Sequence, residues 1–308
     1  MATKDDITKE ILTQKAASQD VVRRKYLADL HEYTKRDTIL YSTAFASKKL
    51  PNLPSFLVSV TNEDIQGFMA ALHGLKGDKL DLILHSPGGS LEAADQIVQY
   101  LRKKYAHIRA IVPQNAMSAA TMIACACDTI VMGKHSAIGP IDPQVTFPTR
   151  NGHSTAPAHA ILSEFMQARQ EILTDPRTAV LWAGRIQNYP PGFLQMCQDA
   201  IRLSEDKVAE WLDMYMFATA EKKGAAIAKW LANAGEHKTH GRPIGIDKAV
   251  EIGLVIEPLE DDQRLQDRVL PVFHAAAITH ELTDCMKIIE NHEGRGAFLN
   301  VQIKQGKN

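Results

Sequence analysis

One serine has the surroundings of a nucleophile. Ser118 lies in Gln114-Asn115-Ala116-Met117-Ser118-Ala119-Ala120-Thr121, where an apolar run gives way to small residues. A serine at a helix start is commonly an N-cap. Here the flanking alanines leave its hydroxyl approachable and set the Ala119 N–H beside it. A second segment, Ser86-Pro87-Gly88-Gly89-Ser90, carries two consecutive glycines, which permit unusual φ/ψ and bring main-chain N–H groups close to a ligand. On its own that pair is a tight turn. Together the two segments supply a hydroxyl nucleophile and oxyanion donors from Gly88, Gly89 and Ala119. A serine hydroxyl is a weak nucleophile at neutral pH and needs a base within hydrogen-bond reach. Lys134, His135, His153 and His159 follow downstream. Lys134 and His135 fall in a turn over 133–139, where a plain loop role is equally natural. Pro157 marks a helix start just before His159, which would hold that imidazole on a rigid element. Spacing alone does not choose among the four.

Hydropathy gives the elements that must position these residues. Ile7, Ile11, Val21, Val22, Tyr26, Leu27 and Leu30 recur at helical intervals over 7–36. Strands are expected at 38–41, 56–60, 80–84, 108–112 and 129–132, with helices over about 62–75, 91–105 and 118–126. This β-α-β-α-β alternation with short connections predicts parallel strands and right-handed crossovers. Both motifs then fall at strand-to-helix junctions, where a parallel sheet presents its ligands. A Gly/Pro-rich loop follows over 133–148, then helical patterns at 156–173, 191–217 and 219–234. A short helix, a glycine and a strand occupy 248–256, and an amphipathic helix spans 261–291. The expected organisation is a helical extension over 1–50, one α/β core over 51–258 and a helical tail over 259–308.

The composition excludes several function classes. Across 308 residues, 35 Lys+Arg against 36 Asp+Glu leave a formal charge of −1, without the basic excess that phosphate-facing surfaces need. The runs Arg23-Arg24-Lys25 and Arg102-Lys103-Lys104 read as solvated helix faces. No apolar stretch approaches the roughly 18 residues of a membrane span, and the polar start Met1-Ala2-Thr3-Lys4 is no secretory signal. The four cysteines form no disulfide scaffold, and Cys125 and Cys127 are spaced as buried thiols, not as a zinc clip. The twelve histidines lack metal-ligand spacing. A cytoplasmic protein without metal or cofactor, binding no nucleic acid, is expected.

Three segments resemble the Clp-fold serine peptidases, and more narrowly the serine dehydrogenase proteinase family. They are Leu84-His85-Ser86-Pro87-Gly88-Gly89, Ala116-Met117-Ser118-Ala119-Ala120-Thr121-Met122, and Met132-Gly133-Lys134 through Gly139-Pro140-Ile141-Asp142-Pro143-Gln144. Weaker echoes lie in Arg23-Arg24-Lys25-Tyr26-Leu27, Thr38-Ile39-Leu40-Tyr41 and Thr239-His240-Gly241-Arg242-Pro243-Ile244. The resemblance implies an α/β, Clp/crotonase-like fold of repeated ββα units with a mostly parallel sheet. It matches Ser118 to the nucleophile, and Gly88 and the Ala119 amide to the oxyanion donors. Clp subunits carry a histidine where this chain has Gly139-Pro140-Ile141-Asp142. Membrane-associated relatives use a lysine in an Ala-Pro-Pro-Lys segment, to which Ala156-Pro157-Ala158-His159 is similar. By that likeness His159 is the expected base, Asp142 an accessory that could orient an imidazole, and Lys134 and His135 the alternatives. A peptide or protein substrate and a homo-oligomer are implied, with the terminal helices as candidate contacts and packing on their own core as the competing role. A non-catalytic scaffold and a crotonase-like acyl-CoA enzyme are the alternative functions.

Overall fold

Along β2 (Lys79–His85), alternate side chains enter opposite layers. Leu80, Leu82 and Leu84 join one apolar cluster with Ile39, Tyr41, Ala110 and Val112, while Ile83 joins another with Leu40, Ile111 and Val131. A strand buried on both faces reads as an unbroken apolar run, which is why 80–84 lacks polar alternation apart from Asp81. The computed structural model describes residues 6–8, 10, 18–47, 54–149 and 152–301.

The central sheet has seven strands in the order β10-β5-β3-β2-β1-β11-β12. They are β1 (Asp37–Thr43), β2, β3 (His107–Val112), β5 (Thr129–Met132), β10 (Ile256–Pro258), β11 (Cys285–Asn291) and β12 (Gly296–Asn300). The run β10-β5-β3-β2-β1 is parallel throughout, as the alternation predicts, and β11 closes antiparallel on β1. Helices Asp64–Leu72, Leu91–Lys104, Ala119–Cys125 and Phe193–Trp211 cover one face, and Ser18–Thr34 and Gln263–Leu282 the other. A small sheet joins β4 (Asn115–Ala116), β6 (Ala137–Ile138) and β9 (Ile244–Gly245), and β7 (Gln144–Thr149) pairs β8 (Gly152–Pro157) as a hairpin. The fold is α/β with a largely parallel sheet.

Several expectations are corrected. Residues 56–60 are no strand: Ser55–Leu57 is a 3-10 turn and Val60 bonds to the diglycine bend instead of to the sheet. The loop over 133–148 holds β6 and the start of the hairpin, whose Val145 and Phe147 face Ile161 and Phe193. The tail helix stops at Leu282, and Cys285–Asn291 and Gly296–Asn300 are strands. β1 lies between β2 and β11, so residues before 50 and after 258 pair in the same sheet as the strands between them. The basic runs are solvated only in part, with Lys25 and Lys103 exposed and arginines of both runs engaged in ion pairs. Arg23 is wholly buried against Glu290 at 2.7 Å, and Arg102 bonds Asp128 at 2.8 Å. The terminal helices pack on their own core through Leu27, Leu30, Leu265 and Val269. All four cysteines are free and buried. Ile11 of the expected first helix, the loop over 48–53 and the end of the tail lie outside the described residues.

Candidate active site

β2 and β4 set the two motifs side by side. The Ser86 N–H donates to Asn115 O (3.1 Å) and the Met117 N–H to Ser86 O (3.0 Å), so parallel pairing carries past the ends of the sheet strands. Ser118 then turns the chain into the Ala119–Cys125 helix at φ +52°, ψ −122°. Few residues other than glycine hold a positive φ, and such strain of about 1–3 kcal/mol persists only where the surroundings impose it. The Ser118 hydroxyl caps no helix N–H, which removes the commonplace role for a serine at this position. Its side chain is half-buried and lines a cavity of about 220 Å³.

The diglycine bend packs directly on this elbow. Gly88 has φ +90°, and a Cβ there would lie 2.4 Å from Met117 O, 2.5 Å from Ser118 Cβ and 2.7 Å from the Ala119 nitrogen. Only glycine fits so close to three atoms of which two are backbone. Its N–H donates to Ser86 Oγ at 3.2 Å. Gly89, with Ala119, lines the Ser118 cavity, and neither N–H has a partner among the described residues. On its far side Gly89 is clamped by Val60, whose N–H donates to Gly88 O (2.8 Å) and whose carbonyl accepts from the Ser90 N–H (2.9 Å). A buried network holds that clamp. Asp64 accepts from the Thr61 N–H (2.9 Å), from Tyr41 Oη (2.7 Å) and from Lys287 Nζ (2.9 Å). Burial and the adjoining Asp64 carboxylate push the Tyr41 hydroxyl well above its ordinary pKa.

Thr121 ties the elbow to the next wall of the cavity. Its Oγ1 donates to Ala116 O (2.7 Å) and accepts from the Gly139 N–H (2.9 Å). The segment beyond Gly139 delivers Asp142, which is 4% exposed and lines the Ser118 cavity. His240 Nδ1 donates to Asp142 Oδ1 at 2.8 Å, and Gln144 Nε2 donates to Oδ2 at 3.0 Å. Pairing of β6 with β9 brings His240 here from nearly a hundred residues downstream. Nothing in the local sequence marks His240 as a functional group beyond the Thr239–Ile244 echo, which says nothing of a contact with Asp142.

The expected bases lie elsewhere. His159 is exposed in the first turn of the Ala158–Thr174 helix and is not among the residues lining the Ser118 cavity. His153 is exposed on β8. His135 Nε2 donates to Pro113 O (2.9 Å), and the Lys134 side chain is exposed. His85, next to the bend in sequence, faces the opposite layer between Phe45 and Phe273. Burial pushes its pKa down to about 3 and that of its neighbour His280 to about 4. Burial likewise raises the Cys127 thiol to about 12, so it is no nucleophile at neutral pH.

Among the described residues, His31, Asp37 and His292 come close enough to suggest a metal. The two rings stack at 3.6 Å with planes 10° apart, so their lone pairs run parallel instead of converging. His31 Nδ1 already donates to Arg36 O (2.7 Å), and Asp37 accepts from the Gly77 N–H and from Tyr105 Oη. This group sits at the amino end of β1, away from the carboxyl ends where Ser118 lies.

A parallel α/β sheet that presents a serine on a strand-to-helix elbow, beside two open amides, has the arrangement of groups that acyl transfer calls for. Residues 15–259 match the ClpP-like SDH-type serine proteinase family, and the chain belongs to that family of serine peptidases. Two curated relatives are uncharacterized proteins of Methanocaldococcus jannaschii. MJ0137 is 31% identical over 200 residues, 64% of this chain and 60% of that protein. MJ1495 is 30% identical over 199 residues, 64% of this chain and 59% of that protein. The chain thus spans about 60% of the length of the curated relatives it matches. Two solved structures of the 1510-N membrane-bound stomatin-specific protease also resemble it. A serine-to-alanine mutant covers 68% of this chain and 79% of its own at 16% identity and a TM-score of 0.39. A lysine-to-alanine mutant in complex with a substrate peptide covers 79% and 83% at 17% identity and a TM-score of 0.41. Among the described residues, no helix of this chain is long and apolar enough to cross a membrane.

Proposed function

We propose that this chain hydrolyses peptide bonds with Ser118 as nucleophile. One observation carries the reading: Ser118, uncapped at positive φ, shares its cavity with the open N–H groups of Gly89 and Ala119. Ser118 Oγ attacks the peptide carbonyl as its proton passes to a base, and the two amides receive the oxyanion. Gly88 contributes by its closeness, which keeps the bend pressed against the elbow. The tetrahedral species collapses, the C–N bond breaks, and the proton returns to the departing amine. Water then hydrolyses the acyl-enzyme.

The substrate class is a peptide or protein, by family membership. The homo-oligomer implied by the resemblance has a candidate surface away from the terminal helices. On the Ala179–Ile186 helix, Val180 and Leu181 are 82% and 80% exposed.

A serine-directed fluorophosphonate tests the reading. The wild-type chain is expected to label on the peptide that contains Ser118, and Ser118→Ala and Ser118→Gly to lose the label. Ser118→Gly also relieves the positive-φ strain and should be the more stable of the two by about 1 kcal/mol. Absence of label on the wild-type chain, or label retained by Ser118→Ala, overturns the assignment.

A further inference from the structure

Resting on the reading of Ser118 as nucleophile, we propose that Asp64, Lys287 and Tyr41 are positioning residues that turn the diglycine bend so that the Gly89 N–H serves Ser118. Two arms run from the Asp64 carboxylate to the bend. The first goes through the main chain. The Thr61 N–H donates to Asp64 Oδ2 at 2.9 Å, and the adjacent Val60 bonds Gly88 O at 2.8 Å and the Ser90 N–H at 2.9 Å. A Cβ on Gly89 would lie 2.4 Å from Val60 O and 2.5 Å from Val60 N, so a shift of Val60 bears directly on Gly89. The second arm goes through side chains. Tyr41 Oη donates to Asp64 Oδ2 at 2.7 Å and hydrogen-bonds Ser86, whose Oγ accepts from the Gly88 N–H at 3.2 Å. A carboxylate only accepts, so each hydroxyl of this arm donates toward Asp64 and accepts from the side of the bend. The Gly88 N–H is thereby engaged inside the protein, and the Gly89 N–H, without a partner among the described residues, is the one left for an oxyanion.

Lys287 fixes the carboxylate that both arms share. Its Nζ lies 2.9 and 3.1 Å from the two Asp64 oxygens and 3.3 Å from Thr61 Oγ1, and both members of the ion pair are buried. The lysine comes from β11, past residue 259, where the family match ends. An acid at a helix start that accepts a nearby main-chain N–H is by itself ordinary capping. Capping needs neither a buried lysine nor a tyrosine from a neighbouring strand. A buried ion pair also adds little net stability over apolar side chains of similar volume, because desolvation of both charges offsets their attraction. What this pair supplies is a fixed point. A carboxylate gripped by Thr61, Tyr41 and Lys287 has one place to sit, and the bend is hung from it. Supporting bonds of this kind hold a reacting group to the fraction of an ångström that alignment demands.

The test is saturation kinetics of fluorophosphonate labelling at Ser118, which separates the limiting rate from the concentration that half-saturates it. Thermal unfolding shows which variants are folded at the assay temperature. Tyr41→Phe keeps the ring against Phe68 and removes only the hydroxyl, and Lys287→Met removes the cation. Arg23→Met is the control, since it breaks another buried ion pair of β11 whose bonds go to Glu290, Thr279 and Asp20 and not to the bend. Lys287→Met should lower the limiting rate about 10²-fold and Tyr41→Phe about 10-fold, because the oxyanion donor moves. Half-saturation should stay within twofold of wild type in both, because the cavity itself is untouched. Arg23→Met should melt about as low as Lys287→Met and keep its limiting rate within twofold. A merely structural role predicts limiting rates that follow the melting temperature in all three. Tyr41→Phe leaves the ion pair in place and decides the matter if Lys287→Met does not fold. The proposal is overturned if folded Tyr41→Phe labels at a limiting rate within twofold of wild type, or if Arg23→Met slows as much as Lys287→Met. Either result leaves Ser118 as the nucleophile, whereas a wild-type chain that takes no label removes that reading itself.

Discussion

Replacing Gly88 with alanine separates the geometry of the bend from ordinary glycine strain. At Gly88 the added Cβ would sit 2.4 Å from Met117 O, 2.5 Å from Ser118 Cβ and 2.7 Å from the Ala119 nitrogen. Ordinary contacts of these kinds are well over 3 Å, so the bend must retreat from the elbow by about 1 Å. A displacement of that size costs about 10²-fold in a reaction that depends on alignment, and loss of an oxyanion donor costs about 10²–10³. Gly192 is the control. Its φ is +74° but nothing lies within 4 Å of where its Cβ would be, so alanine there meets only the left-handed penalty of about 1–2 kcal/mol. Labelling of Ser118 by a fluorophosphonate, followed in a gel, should fall by about 10²–10³-fold in Gly88→Ala and by less than twofold in Gly192→Ala. Thermal unfolding of both should move down by a few degrees. If Gly88→Ala labels within threefold of wild type while melting like Gly192→Ala, the bend does not present donors to Ser118, and the oxyanion argument fails.

Two predictions concern the scaffold behind the site. Lys287→Met leaves Asp64 buried without its cation and should cost about 3–5 kcal/mol in urea unfolding. A loss below about 1 kcal/mol would mean the clamp on Val60 and Gly89 does not depend on that pair. The second concerns acid. His85 and His280, held near pKa 3 and 4 in the folded chain, would titrate near the ordinary value of 6.5 when unfolded. The unfolded chain therefore binds more protons below pH 6.5, so stability is full above that pH and falls as the pH drops toward 4. Each imidazole contributes up to about 1.4 kcal/mol per pH unit in that window. In urea melts from pH 6.5 to 4.5, His85→Asn should show a shallower decline than wild type, and parallel curves would contradict this account.

Much of the parallel sheet was legible because it depends on local pattern. The apolar runs at 80–84, 108–112 and 129–132 and the helix of Ala94, Ile97, Val98 and Leu101 carry their periods in a few consecutive residues. The 285–291 strand was not legible. Met286, Ile288 and Ile289 mixed with Lys287, Glu290 and Asn291 read as the end of an amphipathic helix. Partners distant in sequence make burial of those polar groups tolerable: Asp64 for Lys287, Arg23 for Glu290 and the Ala71 carbonyl for Asn291. The hairpin over 144–157 was hidden in a similar way, because Val145 and Phe147 acquire an inward face only once Ile161 and Phe193 pack beneath them.

Two small-residue motifs at successive strand ends, and the family they resemble, were fixed by the order of amino acids alone. Parallel strands must turn at those junctions, and glycine and alanine are the residues that let two turns touch. The strained φ of Ser118, the choice of Gly89 over Gly88 as the amide left open, and the meeting of Asp142 with His240 came only with the tertiary structure. Each depends on which segments lie across from one another. Pairing of β6 with β9 spans about a hundred residues, and no local period encodes it.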